Sequence, residues 1–159
     1  MNKITPCLWF ADEAEEAANY YVSLLPDSKI VHVQRSPMDY PGGKEGAVLI
    51  VDFLLAGQSF QALNAGSKLE YNNSVSFSVS CKDQAEVDRL WSKILKDGGT
   101  EVQCSWINDK FGVPWQIVPE DLPRMLADPD KAKAQRVMEA MMGMVKIDVA
   151  ALHKAYAGG

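Results

Sequence analysis

The strongest nucleophiles and softest metal donors in this sequence are three cysteines, Cys7, Cys81 and Cys104, and two histidines, His32 and His153. The cysteines are widely spaced and contain no C-x-x-C pair, which argues against a zinc site and against a disulfide framework. Cys7 would attack an electrophile only as a thiolate, yet neither histidine stands near it in sequence to take its proton. A free cysteine in an apolar strand is ordinarily inert packing. His32 falls in a strand-like stretch and His153 in an amphipathic terminal helix, places that suit surface or packing histidines better than a general base. No G-x-G-x-x-G, nor even a shorter G-x-G, is present to cradle a phosphate or dinucleotide, and the glycine doublets at 42-43, 98-99 and 158-159 each have a turn or terminus explanation. Large aromatics are better represented. Trp9, Trp106 and Trp115, with Tyr40 and Phe60, would wall a pocket for a flat ligand or else fill a core. The cluster Met138, Met141, Met142 and Met144 reads first as helix packing or a dimer seam and second as an adaptable binding surface.

The frame for these residues is small. The chain has 159 residues, 47% of them hydrophobic and 23% charged, as expected of one domain able to bury roughly two-thirds of its extended surface. Its net charge of -5 is spread along the sequence, and Lys and Arg form no run dense enough to track a phosphate backbone, so nucleic acid is not an expected partner. The opening stretch carries Pro6 and is followed at once by acids, unlike a secretory leader. No apolar run approaches the ~20 residues of a membrane span. Together with the unpaired cysteines, these features imply a cytoplasmic protein that does not act at a membrane.

Periodicity divides the chain into two similar halves. Residues 3–10 read as a strand, and Asp12 with Glu15 has the capping-box spacing before an Ala-rich helix that runs to Leu25 and stops at Pro26. Residues 74–79 alternate as a half-buried strand, and Asp83 with Glu86 repeats the capping spacing before a helix whose apolar face is Val87, Leu90, Trp91, Ile94 and Leu95 and whose end is Gly98-Gly99. Asp12 and Asp83 stand 71 residues apart, which argues for an internal duplication. Strands then follow each helix. In the first half they are residues 29–35, 47–55 and 59–63, the last two joined by a hairpin turn at Ala56-Gly57-Gln58. The turn-rich residues 37–43 are expected to lie over a pocket mouth. In the second half only residues 101–107 and 115–118 read as strands, so that half is one strand short. The tail is helical, with Asp128 as cap, Pro129 in the first helical position, and a second short helix beginning at Asp148. The expected fold is therefore α+β, a duplicated βαβββ unit over residues 1–66 and 72–120 with a C-terminal helical extension over residues 121–159.

With these elements in place, four stretches resemble the PhnB-like family, named for 3-demethylubiquinone-9 3-methyltransferase, of the vicinal-oxygen-chelate (glyoxalase and bleomycin-resistance) superfamily. They begin at Ile4-Thr5-Pro6-Cys7-Leu8-Trp9-Phe10, Gly57-Gln58-Ser59-Phe60-Gln61, Asp109-Lys110-Phe111-Gly112-Val113-Pro114-Trp115-Gln116 and Lys146-Ile147-Asp148-Val149. The resemblance implies two such units whose curved sheets enclose a cleft, and in the metalloenzymes of the superfamily a divalent ion held by His, Glu or Gln from the first and last strands of each unit. Carried over by position, those ligands fall at Thr5, Gln61, Ser74 or Ser76, and Gln116. Two amides and two hydroxyls are neutral, weak donors, and a transition ion has little reason to stay on them. The expected site is thus a metal-free, cofactor-free pocket lined by Thr5, Cys7, Trp9, Gln61, Leu63, Ser76, Trp106, Trp115 and Gln116. The methyltransferase name implies an adenosyl cofactor, for which the Gly-rich turn is missing. Three functions follow: a binding protein for an aromatic or amphiphilic small molecule; an enzyme, either a metal-dependent lyase or isomerase or a methyltransferase; and a structural or regulatory dimer whose cleft is filled by its own side chains. The superfamily resemblance also implies a homodimer.

Overall fold

The computed structural model describes residues 2–159, which form two compact units, one ending at Glu70 and the other beginning at Tyr71. In the first, strict alternation along the strands separates two faces of a four-stranded sheet. Its elements are β1 (Cys7–Phe10), α1 (Ala14–Val22), β2 (Lys29–Arg35), β3 (Val48–Leu55) and β4 (Gln58–Asn64), with sheet order β1-β4-β3-β2. Only β1 and β4 run parallel. One face carries Leu8, Phe10, Val51, Phe53, Leu55, Phe60 and Ala62, and it is buried along with Ala14, Ala17, Ala18 and Tyr21 of α1. Phe53 stacks on Phe60 with ring centroids 5.5 Å apart and on Tyr21 at 6.2 Å. Each such aromatic contributes about 1.5–3 kcal/mol by burial. The opposite face, bearing Cys7, Trp9, Ile50, Asp52, Leu54, Ser59, Gln61 and Leu63, has no helix of this unit upon it.

Three local expectations are corrected in this unit. Asp12 does not cap α1, which starts at Ala14 after Glu13 with no cap from its own side chains. The amide of Ala14 instead donates to Asn64 Oδ1 at 2.8 Å, and Asn64 Nδ2 donates to the Val48 carbonyl at 3.0 Å. A cap supplied from 50 residues away leaves no local pattern to read. The helix closes at Val22, three residues before Leu25. Residues 37–43 do not lie over the sheet face. They fold against the far end of β4, where a Cβ on Gly66 would fall 2.0 Å from the Pro41 carbonyl oxygen, so only glycine allows that approach.

The second unit repeats the topology. Its elements are β5 (Phe77–Cys81), α2 (Gln84–Lys96), β6 (Thr100–Glu101), β7 (Trp106–Asn108) and β8 (Pro114–Pro119), in sheet order β5-β8-β7-β6 with β5 and β8 parallel. No strand is missing. The single strand expected over residues 101–107 is two short ones folded back on each other, with Cys104 and Ser105 at φ 52° and 79° in the turn. That turn carries no Gly or Asn. It is held by backbone bonds from Cys104 N to Met144 O and from Ser105 N to Val145 O, so the tail supplies what turn chemistry lacks. Asp83 caps α2 as expected, accepting from Glu86 N at 2.9 Å. Leu95, however, is 42% exposed and leaves the buried stripe of Val87, Leu90, Trp91 and Ile94.

The tail forms α3 (Asp121–Leu126), α4 (Lys131–Met142) and α5 (Val149–Ala157). Leu122, Met125, Val137, Ile147 and Leu152 make its core. Asp130, rather than Asp128, caps α4, accepting from Ala132 N and Lys133 N, while Asp128 accepts from Asp130 N and from the Tyr156 hydroxyl. Asp148 caps α5 as expected. Gln84 ties α5 to α2, since its Oε1 accepts from Val149 N at 2.7 Å and its Nε2 donates to Ile147 O at 3.0 Å. No helix of the described residues is long and apolar enough to cross a membrane.

Candidate functional site

Register aligns the open face of the first sheet into rows. Cys7 stands opposite Gln61, Gln61 opposite Asp52, and Asp52 opposite His32, one residue from each strand. Within this row Gln61 Nε2 donates to Asp52 Oδ1 at 2.8 Å. The bond orients both groups: the amide nitrogen is committed to Asp52, while Gln61 Oε1 and Asp52 Oδ2 remain acceptors. The next row is Trp9, Leu63, Ile50 and Gln34. Trp9 is held in place by its Nε1–H, which donates to the Ser67 carbonyl at 2.7 Å.

A cavity of about 330 Å³ opens beside the polar row, lined by Thr5, Lys29, Val31, Asp52, Phe53, Leu54, Ser59 and Phe60. It lies toward the start of β4, at the end remote from the residue 37–43 excursion. Val31 reaches it because β2 slips register between Ile30 and His32, a bulge that adds one residue against β3. Cys7, next to Gln61, has its thiol pKa pushed up, first by partial burial and then by the negative charge of Asp52. Both effects hold it as the neutral thiol, which is the wrong form for a nucleophile.

The second unit has a lesser version of this face. Gln116 lies opposite Ser78 and Trp106, and its Nε2 donates to Ser76 Oγ at 2.9 Å. Ser76 precedes β5 and meets Gln116 through its side chain alone. Trp115 is not a pocket residue. It is 1% exposed on the helix-covered face, packs edge-on against Phe77 at 5.2 Å, and donates through Nε1 to Asp109 Oδ2 at 2.9 Å. Asp109 also accepts from the amides of Phe111 and Val113, so the Asp-Lys-Phe-Gly-Val-Pro-Trp stretch is a structural turn. Thr5, Cys7, Trp9, Gln61 and Leu63 thus belong to the first unit's open face or its cavity, and Ser76, Trp106 and Gln116 to the second unit's. His32, Asp52, Val31 and Ser59 share the first unit's open face and were not anticipated. The signal for Asp52 was a lone carboxylate in the apolar run Val-Leu-Ile-Val-Asp-Phe-Leu-Leu.

The donors do not suit the divalent ion of the superfamily's metalloenzymes. Gln61 and Gln116 offer neutral amide oxygens, and Thr5 and Ser76 only hydroxyls, all weak donors to a transition ion. Among the described residues no three His, Cys, Asp or Glu side chains come together. An adenosyl cofactor of the common methyltransferases fits no better, since it needs a Gly-rich turn in a doubly wound parallel sheet and each sheet here has a single parallel pair.

Two βαβββ units of the same strand order, each a four-stranded sheet with a single parallel pair, place the chain in the vicinal-oxygen-chelate fold of glyoxalases and FosX proteins. Within that class it belongs to the 3-demethylubiquinone-9 3-methyltransferase family, whose sequence model matches residues 2–118. That match ends before α3, so the stretch beginning at Lys146 lies outside it. The chain is similar to a PhnB protein from Bacillus cereus, with 35% identity and a TM-score of 0.66 over 74% of this chain and 99% of the other. Protein PA1353 from Pseudomonas aeruginosa, at 19% identity and TM-score 0.61, shares the fold over 76% of this chain and 98% of its own. The fosfomycin resistance protein FosX from Mesorhizobium loti, at 16% identity and TM-score 0.54, does so over 80% and 100%. No protein with a curated description matches the chain.

Proposed function

We propose that this chain is a metal-free small-molecule-binding protein of the glyoxalase and bleomycin-resistance type, holding its ligand on the open face of a βαβββ sheet. The observation that carries this reading is the cavity of about 330 Å³ on the first sheet, where the apolar side chains of Val31 and Leu54 stand beside Thr5, Lys29, Asp52 and Ser59. That volume and that mixture are typical of sites for small organic ligands. The neighbouring polar row supports binding better than chemistry. It contains a thiol held neutral, an amide bonded to a carboxylate, and His32, which β4 and β3 separate from the Cys7 thiol.

The test is a fragment screen by thermal shift, followed by amide chemical-shift mapping of the hits. Binding that is saturable and perturbs Val31, Leu54 and Ser59 is the expected result. Hits that all map to the tail helices, or none at any concentration, would overturn the assignment.

A further inference from the structure

The polar wall of the first-unit cavity has a definite chemical preference. Asp52 places a carboxylate in a lining that is otherwise hydroxyl or apolar except for Lys29 at the start of β2. Among the described residues, Lys29 and Asp52 form no ion pair with each other, and the one hydrogen bond to the Asp52 carboxylate is that from Gln61 to Oδ1. Oδ2 is thus left with acceptor capacity and no protein donor. Beside it, one N–H of the Gln61 amide is committed to Asp52, and the Gln61 carbonyl oxygen keeps its acceptor capacity. The half-buried Asp52–Gln61 pair therefore asks a ligand for N–H donors and, because Asp52 is an anion, for positive charge. The same negative field reaches across β4 to β1, where it helps to hold the Cys7 thiol neutral. Lys29 does not cancel it: its ammonium sits on a long flexible stem at an exposed strand end, where it is well solvated.

We infer that the cavity selects a small ligand bearing a protonated amine or amidine on a compact apolar body, with the cationic head on Asp52 and the body against Val31 and Leu54. This rests on the binding-protein reading above and adds the charge of the ligand to it. Gln61 acts as a positioning residue, fixing the carboxylate so that Oδ2 faces the incoming head.

The experiment titrates the full chain with three probes of one size, benzylamine, benzyl alcohol and benzoate, following the amides of Val31, Leu54 and Ser59. Benzylamine should bind at least about tenfold more tightly than benzyl alcohol, and benzoate more weakly than either. Asp52→Asn keeps the acceptor for Gln61, so fold and melting temperature should hold while the preference for benzylamine over benzyl alcohol disappears. Lys29→Met should leave benzylamine binding as tight or tighter. Equal binding of the three probes, tighter benzoate, or an unchanged preference in Asp52→Asn would overturn the charge assignment while leaving the cavity as a binding site. Failure of all three probes to perturb those amides would overturn the binding-site reading and this inference with it.

Discussion

Asp109 offers the sharpest test of how the second unit is built. Its carboxylate is 4% exposed and accepts three hydrogen bonds, from Phe111 N at 2.8 Å and Val113 N at 3.0 Å on Oδ1 and from Trp115 Nε1 at 2.9 Å on Oδ2. In Asp109→Asn the size is unchanged, so no cavity opens. If the new amide oxygen keeps the two backbone donors, its NH2 must face the Trp115 N–H, donor against donor, in a buried place. Rotating the amide merely moves the conflict to the backbone. One charge-assisted bond is lost and two buried donors go unpaired, each effect worth about 1–3 kcal/mol, partly offset because the neutral amide costs less to bury. The expected net loss is about 2–4 kcal/mol, or roughly 5–15 °C in melting temperature for a chain of this length. Urea titration followed by tryptophan fluorescence and far-UV dichroism reads it, and the dependence on denaturant should stay that of the parent. Trp115→Phe removes the opposing donor. Combined with Asp109→Asn it should therefore show a coupling of at least about 1 kcal/mol. A loss below about 1 kcal/mol, or strict additivity of the two substitutions, would mean that the turn is held by its backbone alone.

The remaining predictions concern the first unit, the metal and assembly. Ala56 sits at φ 48° beside Gly57 at φ 78° in an exposed two-residue hairpin turn, so Ala56→Asn should raise stability by about 0.5–1 kcal/mol, measured by urea titration. The Cys7 thiol is raised by burial and by Asp52, so it should alkylate slowly with iodoacetamide at pH 8, and Asp52→Asn, which removes the negative charge, should lower the pKa and speed the reaction. An unchanged rate would show that Asp52 does not act on that thiol. Protein prepared without chelator should carry less than stoichiometric transition metal by elemental analysis, and chelator should leave its melting temperature unchanged, because neutral amides and hydroxyls hold such ions weakly. Light scattering at micromolar concentration should give about twice the 17.5 kDa chain mass, with exposed Met138 and Met142 of α4 in the contact. A monodisperse monomer would remove the dimer.

What could be read from the sequence, and what could not, divides along local against long-range interactions. The strand at Lys29–Arg35, the hairpin around Ala56-Gly57 and the caps at Asp83 and Asp148 all rest on signals within a few residues, and all stand where the pattern puts them. The cap on α1 and the turn at Cys104-Ser105 do not, because Asn64 and the Met144–Val145 backbone supply their partners from distant parts of the chain. The candidate site follows another rule, that of side-chain parity along a strand. Cys7 and Trp9 share one parity, as do Gln61 and Leu63, so each pair can face one open surface, and each does. Trp115 and Gln116 are neighbours on β8, and neighbours on a strand cannot face the same way. Choosing Gln116 for the open face therefore already assigned Trp115 to the core, whatever its aromatic ring suggested. Applied to β3, the same rule puts Ile50, Asp52 and Leu54 together against Val51, Phe53 and Leu55. A carboxylate in that position would be buried against α1 if the strand were turned over, at a cost no partner there offsets. Asp52 thus helps to fix which face of β3 meets the helix, and the same residue gives the open face its charge.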